Sequence, residues 1–169
     1  ERERLYNTFG VLYFQKGDYK QAKNYFLKAL EVLPRSHPFY KELCANYNIN
    51  LAQIYFKLED YDEADKIYRM LLNIQGIDKN DINQTLGMIN LYLGAPGKAL
   101  NYFRNVNYGT NYKQIFLNHN IGDAFLNLNE FDSAKRYFEK AIEINSSLGS
   151  NTDHIAYGQT LKSFGDLEL

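Results

Sequence analysis

Apolar and small residues return along this chain at helical intervals, and the intervals themselves repeat. A small residue recurs at Gly10, Ala52, Gly87, Gly122 and Gly158, and a second at Ala22, Ala64, Ala99 and Ala134. Four residues after each of these alanines stands a ring, at Phe26, Tyr68, Phe103 and Phe138, and three residues further on comes Ala29, Leu71, Val106 or Ala141. Spacings of i, i+4 and i+7 fall on one face of an α-helix. Turn signals separate the two series: Gly17-Asp18, Gly94 and, in the equivalent place, Asn129. Pro96 falls near the start of the following helix, where its missing N–H costs little. The pattern predicts stacked copies of one helical hairpin, not a fold arranged around a single catalytic site.

The copies overlay residue by residue. Phe9 to Ala22 matches Leu51 to Ala64, Ile121 to Ala134 is a third copy, and Leu86 to Ala99 is a looser one. Two helices joined by a short turn pack closely only where one offers a small residue and the other fills the gap with a bulky one. Gly10 and Ala22 are therefore expected to be holes, and Tyr13 and Phe26 knobs.

These residues resemble the tetratricopeptide repeat (TPR) family. Its pattern of aromatic, Leu-Gly, Tyr, Ala, Phe, Ala and Pro is met most fully by Tyr6, Phe9, Gly10, Tyr13, Ala22, Phe26, Ala29 and Pro34. Asn48, Asn83 and Asn118 stand where the leading aromatic would be, Asn90 replaces the central ring of the third unit, and only the first unit closes with Pro. The resemblance implies an all-α, right-handed superhelical solenoid of helix-turn-helix hairpins in a single domain, 1–169. Its four repeats would span about 3–36, 45–78, 80–113 and 115–148, with 151–169 a partial fifth unit or cap. The chain opens Glu1-Arg2-Glu3-Arg4, without Met, and its last unit is incomplete, so it is expected to be a piece of a longer protein.

The spacing from Ala22 to Ala64 is 42 residues against 35 for the two that follow. The extra segment, Ser36 to Leu43, predicts a turn at Pro38 and about two additional helical turns. Such longer units are similar to those of kinesin light chains and bacterial signalling proteins. The last connection, Ala141 to Gly149, is similar to that in TPR sensory regions of bacterial sensor kinases and transcription regulators.

The resemblance also implies where function sits: the first helices of the hairpins line a concave groove that meets an extended peptide or a partner helix. Helical geometry places Asn46, Asn50 and Gln53 on one stripe, Asp81, Gln84, Thr85 and Met88 on the next, then Phe116, His119, Asn120 and Asp123, and finally Thr152, Ile155 and Gln159. An amide both donates and accepts, so Asn50, Gln53, Gln84, Asn120 and Gln159 form a candidate ladder for the backbone of an extended ligand. Met88 and Phe116 would add apolar contact, and Asp81 and Asp123 would favour a basic or N–H-rich ligand. Asparagine is abundant elsewhere too, as at Asn105, Asn107 and Asn111, so a merely solvated surface has the same look. The function expected is a protein- or peptide-binding module, serving as the sensory or scaffold part of a larger protein. The alternative is a spacer or homo-oligomerising domain, with self-association through the end helix around Ile155 and Leu161.

Charge and chemistry narrow this further. A formal net charge of -1 and a pI near 6.4 recommend neither nucleic acid nor an anionic membrane as partner. No apolar run approaches the roughly 20 residues of a membrane span. One specific TPR activity, holding a chaperone's terminal carboxylate, would require cationic positions where this chain has Val11, Asp81 and Thr85, and only Asn50 fits. A Gly-rich phosphate loop, HExxH and CxxC are absent, and His37, His119 and His154 stand far apart. No enzyme activity, metal or cofactor is expected, although His119 and Asp123, at i, i+4, suit a pH-sensitive pair. The lone Cys44 reads as packed, not reactive. The fifteen Tyr and eleven Phe are mostly core, with Tyr25, Tyr102 and Tyr137 expected against neighbouring repeats.

Overall fold

The structure, a computed structural model, describes residues 1–109, 112–148 and 155–168. Among them stand nine α-helices and no strand: α1 (Arg2–Gln15), α2 (Tyr19–Val32), α3 (Tyr40–Lys57), α4 (Tyr61–Leu72), α5 (Lys79–Tyr92), α6 (Pro96–Phe103), α7 (Tyr112–Asn127), α8 (Phe131–Ser147) and α9 (Ile155–Glu168). They pair as hairpins α1/α2, α3/α4, α5/α6 and α7/α8, with α9 packed on α8 and α7. The chain divides into two compact units, Glu1–Ile77 and Asp78–Leu169.

Each hairpin turns in the same way because the same backbone bonds close it. Asp18 N–H donates to Tyr13 O, Asp60 to Tyr55 O, Ala95 to Asn90 O and Glu130 to Phe125 O, at 2.8–3.0 Å. This six-residue closure needs left-handed backbone one position earlier, where Gly17, Glu59, Gly94 and Asn129 have φ of 76°, 61°, 68° and 59°. Glycine or asparagine takes that conformation readily; Glu59 is the costly member. In the first two turns the next residue also caps the second helix, with Asp18 accepting from Gln21 N–H and Asp60 from Glu63 N–H.

The small-residue series marks where the helices touch. A Cβ on Gly10 would lie 2.9 Å from the ring of Phe26, and on Gly87 and Gly122 it would collide still harder with Phe103 and Phe138. These rings are fully buried, as are Ala22, Ala64, Ala99 and Ala134. Phe26 is thus a knob as expected. Tyr13, the other expected knob, is half-buried beside Phe26 in a core that also includes Leu51 and Ile54 of α3. A Cβ on Gly158 would meet nothing within 4 Å, so this position has no such partner.

Three local expectations are corrected. The long connection, closed by Pro34 O accepting from His37 N–H, gives only about one additional turn of α3. Phe39 N–H donates to the His37 ring, and the helix starts at Tyr40. Val106 does not continue the helical face of Phe103, because α6 ends at Phe103 and Val106 is buried from the following segment. Tyr25 and Tyr137 find ring partners within their own hairpins: Tyr25 lies 5.3 Å from both Phe9 and Tyr13, and Tyr137 lies 5.4 Å from Phe125. Cys44 is half-buried, packed against the core of Ala29, Leu33 and Tyr47.

Two stability measurements check this packing. Gly122→Ala should cost about 1–3 kcal/mol in chemical denaturation, while Gly158→Ala, in open space, should be neutral or stabilise by up to about 1 kcal/mol. Glu59→Gly should stabilise by about 0.5–1 kcal/mol by relieving the left-handed backbone, in contrast to an ordinary helix-end substitution.

Candidate functional site

In the first unit the expected residues lie on α3. Asn46 and Gln53 are exposed, whereas Asn50 is half-buried and its Nδ2 donates to Asn7 Oδ1 on α1 at 3.2 Å. That bond ties the two first helices together and takes up one of the amide's donors.

In the second unit, helices α5 and α7 enclose a cavity of about 260 Å³ lined by Met88, Leu91, Tyr92, Asn120, Asp123, Leu126 and Asn127. Three of the expected residues, Met88, Asn120 and Asp123, meet there. Tyr92, in this lining, is 60% exposed. Leu91, Tyr92, Leu126 and Asn127 were missed, yet each follows an expected residue by three or four positions; extending both stripes by one turn finds them.

The remaining expected residues are occupied within the fold or lie elsewhere. Asp81 receives the Lys113 ammonium on both oxygens at 2.8 Å and the Tyr108 hydroxyl at 2.7 Å. Burial works against its ionisation, but these bonds from Lys113 and Tyr108 prevail and hold the carboxyl below the usual range. Lys113 is correspondingly raised, chiefly by its bond to Asp81, and burial together with that same carboxylate pushes the Tyr108 phenol well above the tyrosine range. Gln84 and Phe116 are half-buried, Phe116 against Ile115 and Ala141. Gln159 is exposed on α9, and Thr152 and the side chain of Ile155 lie outside the described residues.

His119 is a core residue, not a groove contact. It is 7% exposed, its ring lies 5.7 Å from Phe138, its Nδ1 is 3.2 Å from the buried Thr160 Oγ1 and its Nε2 is 3.3 Å from Asp123 Oδ2. Burial pushes the imidazole below its ordinary pKa against the pull of Asp123, and burial pushes the Asp123 carboxyl up against the pull of His119. His119 thus links α7 to α9 through Thr160, while Asp123, one turn on along α7, stands at the cavity. Among the described residues, no three ligand-type side chains cluster as a metal site would need, and no helix is long and apolar enough to cross a membrane.

The model of the tetratricopeptide repeat matches residues 3–34, 45–76 and 117–148, more than half of the chain and its first, second and fourth hairpins. The chain belongs to the tetratricopeptide repeat family. Among curated proteins it is similar to anaphase-promoting complex subunit CDC16 of Saccharomyces cerevisiae, 29% identical over 88% of this chain but only 15% of that protein. The TPR chain therefore spans a small part of that relative's length. Its fold is shared with PilF of Pseudomonas aeruginosa, at 23% identity and a TM-score of 0.72, covering 99% of this chain and 68% of that one. It is shared too with YrrB, described as a TPR protein with an unusual peptide-binding site, at 20% identity and a TM-score of 0.62, covering 96% and 76%. The TPR fold supports a protein–protein interaction module, and proteins of this family are in general non-catalytic scaffolds.

The Asp81 cluster predicts how the segment before α7 responds to pH. Asp81, whose pKa is lowered on folding, contributes stability above the ordinary carboxylate pKa, lost as pH falls through its folded value; Lys113, raised, contributes below the ordinary lysine pKa, lost as pH rises through its own. Amide exchange at Asn107 and Tyr108, corrected for intrinsic rates, should therefore stay protected around neutrality and loosen at both extremes. Asp81→Asn should remove the pH dependence at the acid end.

Proposed function

We propose that this TPR chain binds an extended segment of a partner protein along its first helices, with the α5/α7 cavity as the principal contact in the second unit. The observation that carries this reading is the convergence of Met88, Leu91, Tyr92 and Leu126 with Asn120 and Asp123 around one 260 Å³ space. Apolar walls provide burial for a ligand side chain, and Asn120 offers a donor and an acceptor to its backbone. Asp123, although paired with His119, biases the site towards an N–H-rich or basic ligand. Asn50 and Gln53 would serve a ligand in the first unit, with Asn50 exchanging its bond to Asn7.

The small share of CDC16 that this chain spans supports a role as the interaction part of a larger protein. A sensory use of the binding event rests on the long connection before α3 and on the last connection. The spacer reading competes directly with the binding reading, and one experiment separates them. An array of randomised nonapeptides, probed with labelled protein, should select sequences whose affinity falls about tenfold or more in Met88→Ala and Asn120→Ala, without a change in melting or oligomeric state. Affinities unaffected by both substitutions would remove the cavity from the binding site.

A further inference from the structure

The third hairpin is cut short, and the shortening leaves a second groove. Helix α6 has 8 residues, against 14, 12 and 17 for α2, α4 and α8. Its continuation is drawn away by specific bonds: Asn80 Oδ1 accepts from Asn107 N–H at 2.9 Å, and Asp81 holds Tyr108 and Lys113. Where a further turn of α6 would follow Phe103, a groove of about 620 Å³ opens among α6, α7 and α8. The half-buried Ile121, Ile144 and Tyr137 give it an apolar lining above the buried Phe103 and Leu117. Its size is that of a ligand site.

Charge at the rim decides what would enter. Arg104 and Lys140 stand there with one carboxylate, Glu143, so cations are in excess. Arg104 donates one bond to Asn101 Oδ1, which leaves further guanidinium N–H groups, and the Lys140 ammonium sits 4.5 Å from the Tyr137 ring centroid. Both side chains are exposed, and the ion pairs among the described residues engage other groups. We infer that this groove takes a short acidic segment of a partner protein, a carboxylate beside a bulky apolar side chain. The apolar group packs against Ile121 and Ile144, and the carboxylate meets Arg104 and Lys140. The α5/α7 cavity presents Asp123 instead, so the two sites select ligands of opposite charge.

The test uses an array of randomised nonapeptides with the intact chain, followed by titration of the selected acidic peptides into ¹⁵N-labelled protein. Peptides pairing Asp or Glu with Leu or Phe should be enriched and should shift the amides of Arg104, Tyr137 and Lys140. Their affinity should fall about tenfold or more in the double variant R104E/K140E and be untouched by Asn120→Ala. Both replaced residues are exposed, and an unchanged melting profile verifies folding. The proposal is overturned if basic peptides are retained equally, if R104E/K140E binds as well as the parent, or if the shifts fall on Met88 and Asn120 instead. A dimer that R104E/K140E dissociates would assign the groove to a second copy and overturn it likewise. Failure of the α5/α7 reading would show separately, as indifference to Met88→Ala and Asn120→Ala.

Discussion

The seating of a bulky ring against a residue with no side chain, once in each of three hairpins, is the contact on which the rest depends. Gly10 receives Phe26, Gly87 receives Phe103 and Gly122 receives Phe138. Full burial of a phenylalanine is worth about 1.5–3 kcal/mol, and the close helix approach adds dispersion contact around it. Because the ring comes from the second helix and the hole from the first, the contact fixes the rotation of both helices as well as their distance. Every exposed stripe then follows from that rotation. The side of α5 and α7 that carries Met88, Asn120 and Asp123 is available to solvent because another side is committed to Phe103 and Phe138.

This coupling explains why the fold was legible in the chain. Hole, turn and knob recur at fixed separations, and each has a local physical cause, so the helices, the four hairpins and the buried alanines could be read from spacing alone. What escaped depends on contacts remote in sequence. Val106 has the right spacing to extend α6, but Asn80 and Asp81, more than twenty residues earlier, tie Asn107 and Tyr108 and take the chain out of the helix. His119 has the spacing of a groove residue, but Thr160 and Phe138 close over it.

The amides show a further limit of pattern reading. Five asparagines outside the candidate ladder bond back to the carbonyl four residues earlier: Asn48 to Cys44 O, Asn73 to Arg69 O, Asn90 to Leu86 O, Asn105 to Asn101 O and Asn127 to Asp123 O. Such i to i−4 bonds spend a donor on a carbonyl that is already in the helical ladder. Sequence shows which residues carry amides, not which amides are spent. Asn120, at the α5/α7 cavity, is therefore worth more as a candidate than its neighbours of the same type.

The third hairpin combines these effects. With Asn90 in place of a central ring, its first helix contributes a buried amide where the other hairpins contribute an aromatic, and its second helix is the shortest of the set. Where a further turn of α6 is missing, Ile121 and Ile144 are only half-buried and line the groove. A repeat array tolerates this loss because each hairpin is held by contacts within itself and with its neighbours, not by one common core. The same independence lets a weakened unit acquire a binding surface at little cost to the others, which is why the departure from the repeat, more than the repeat itself, marks where this chain differs chemically from a generic scaffold.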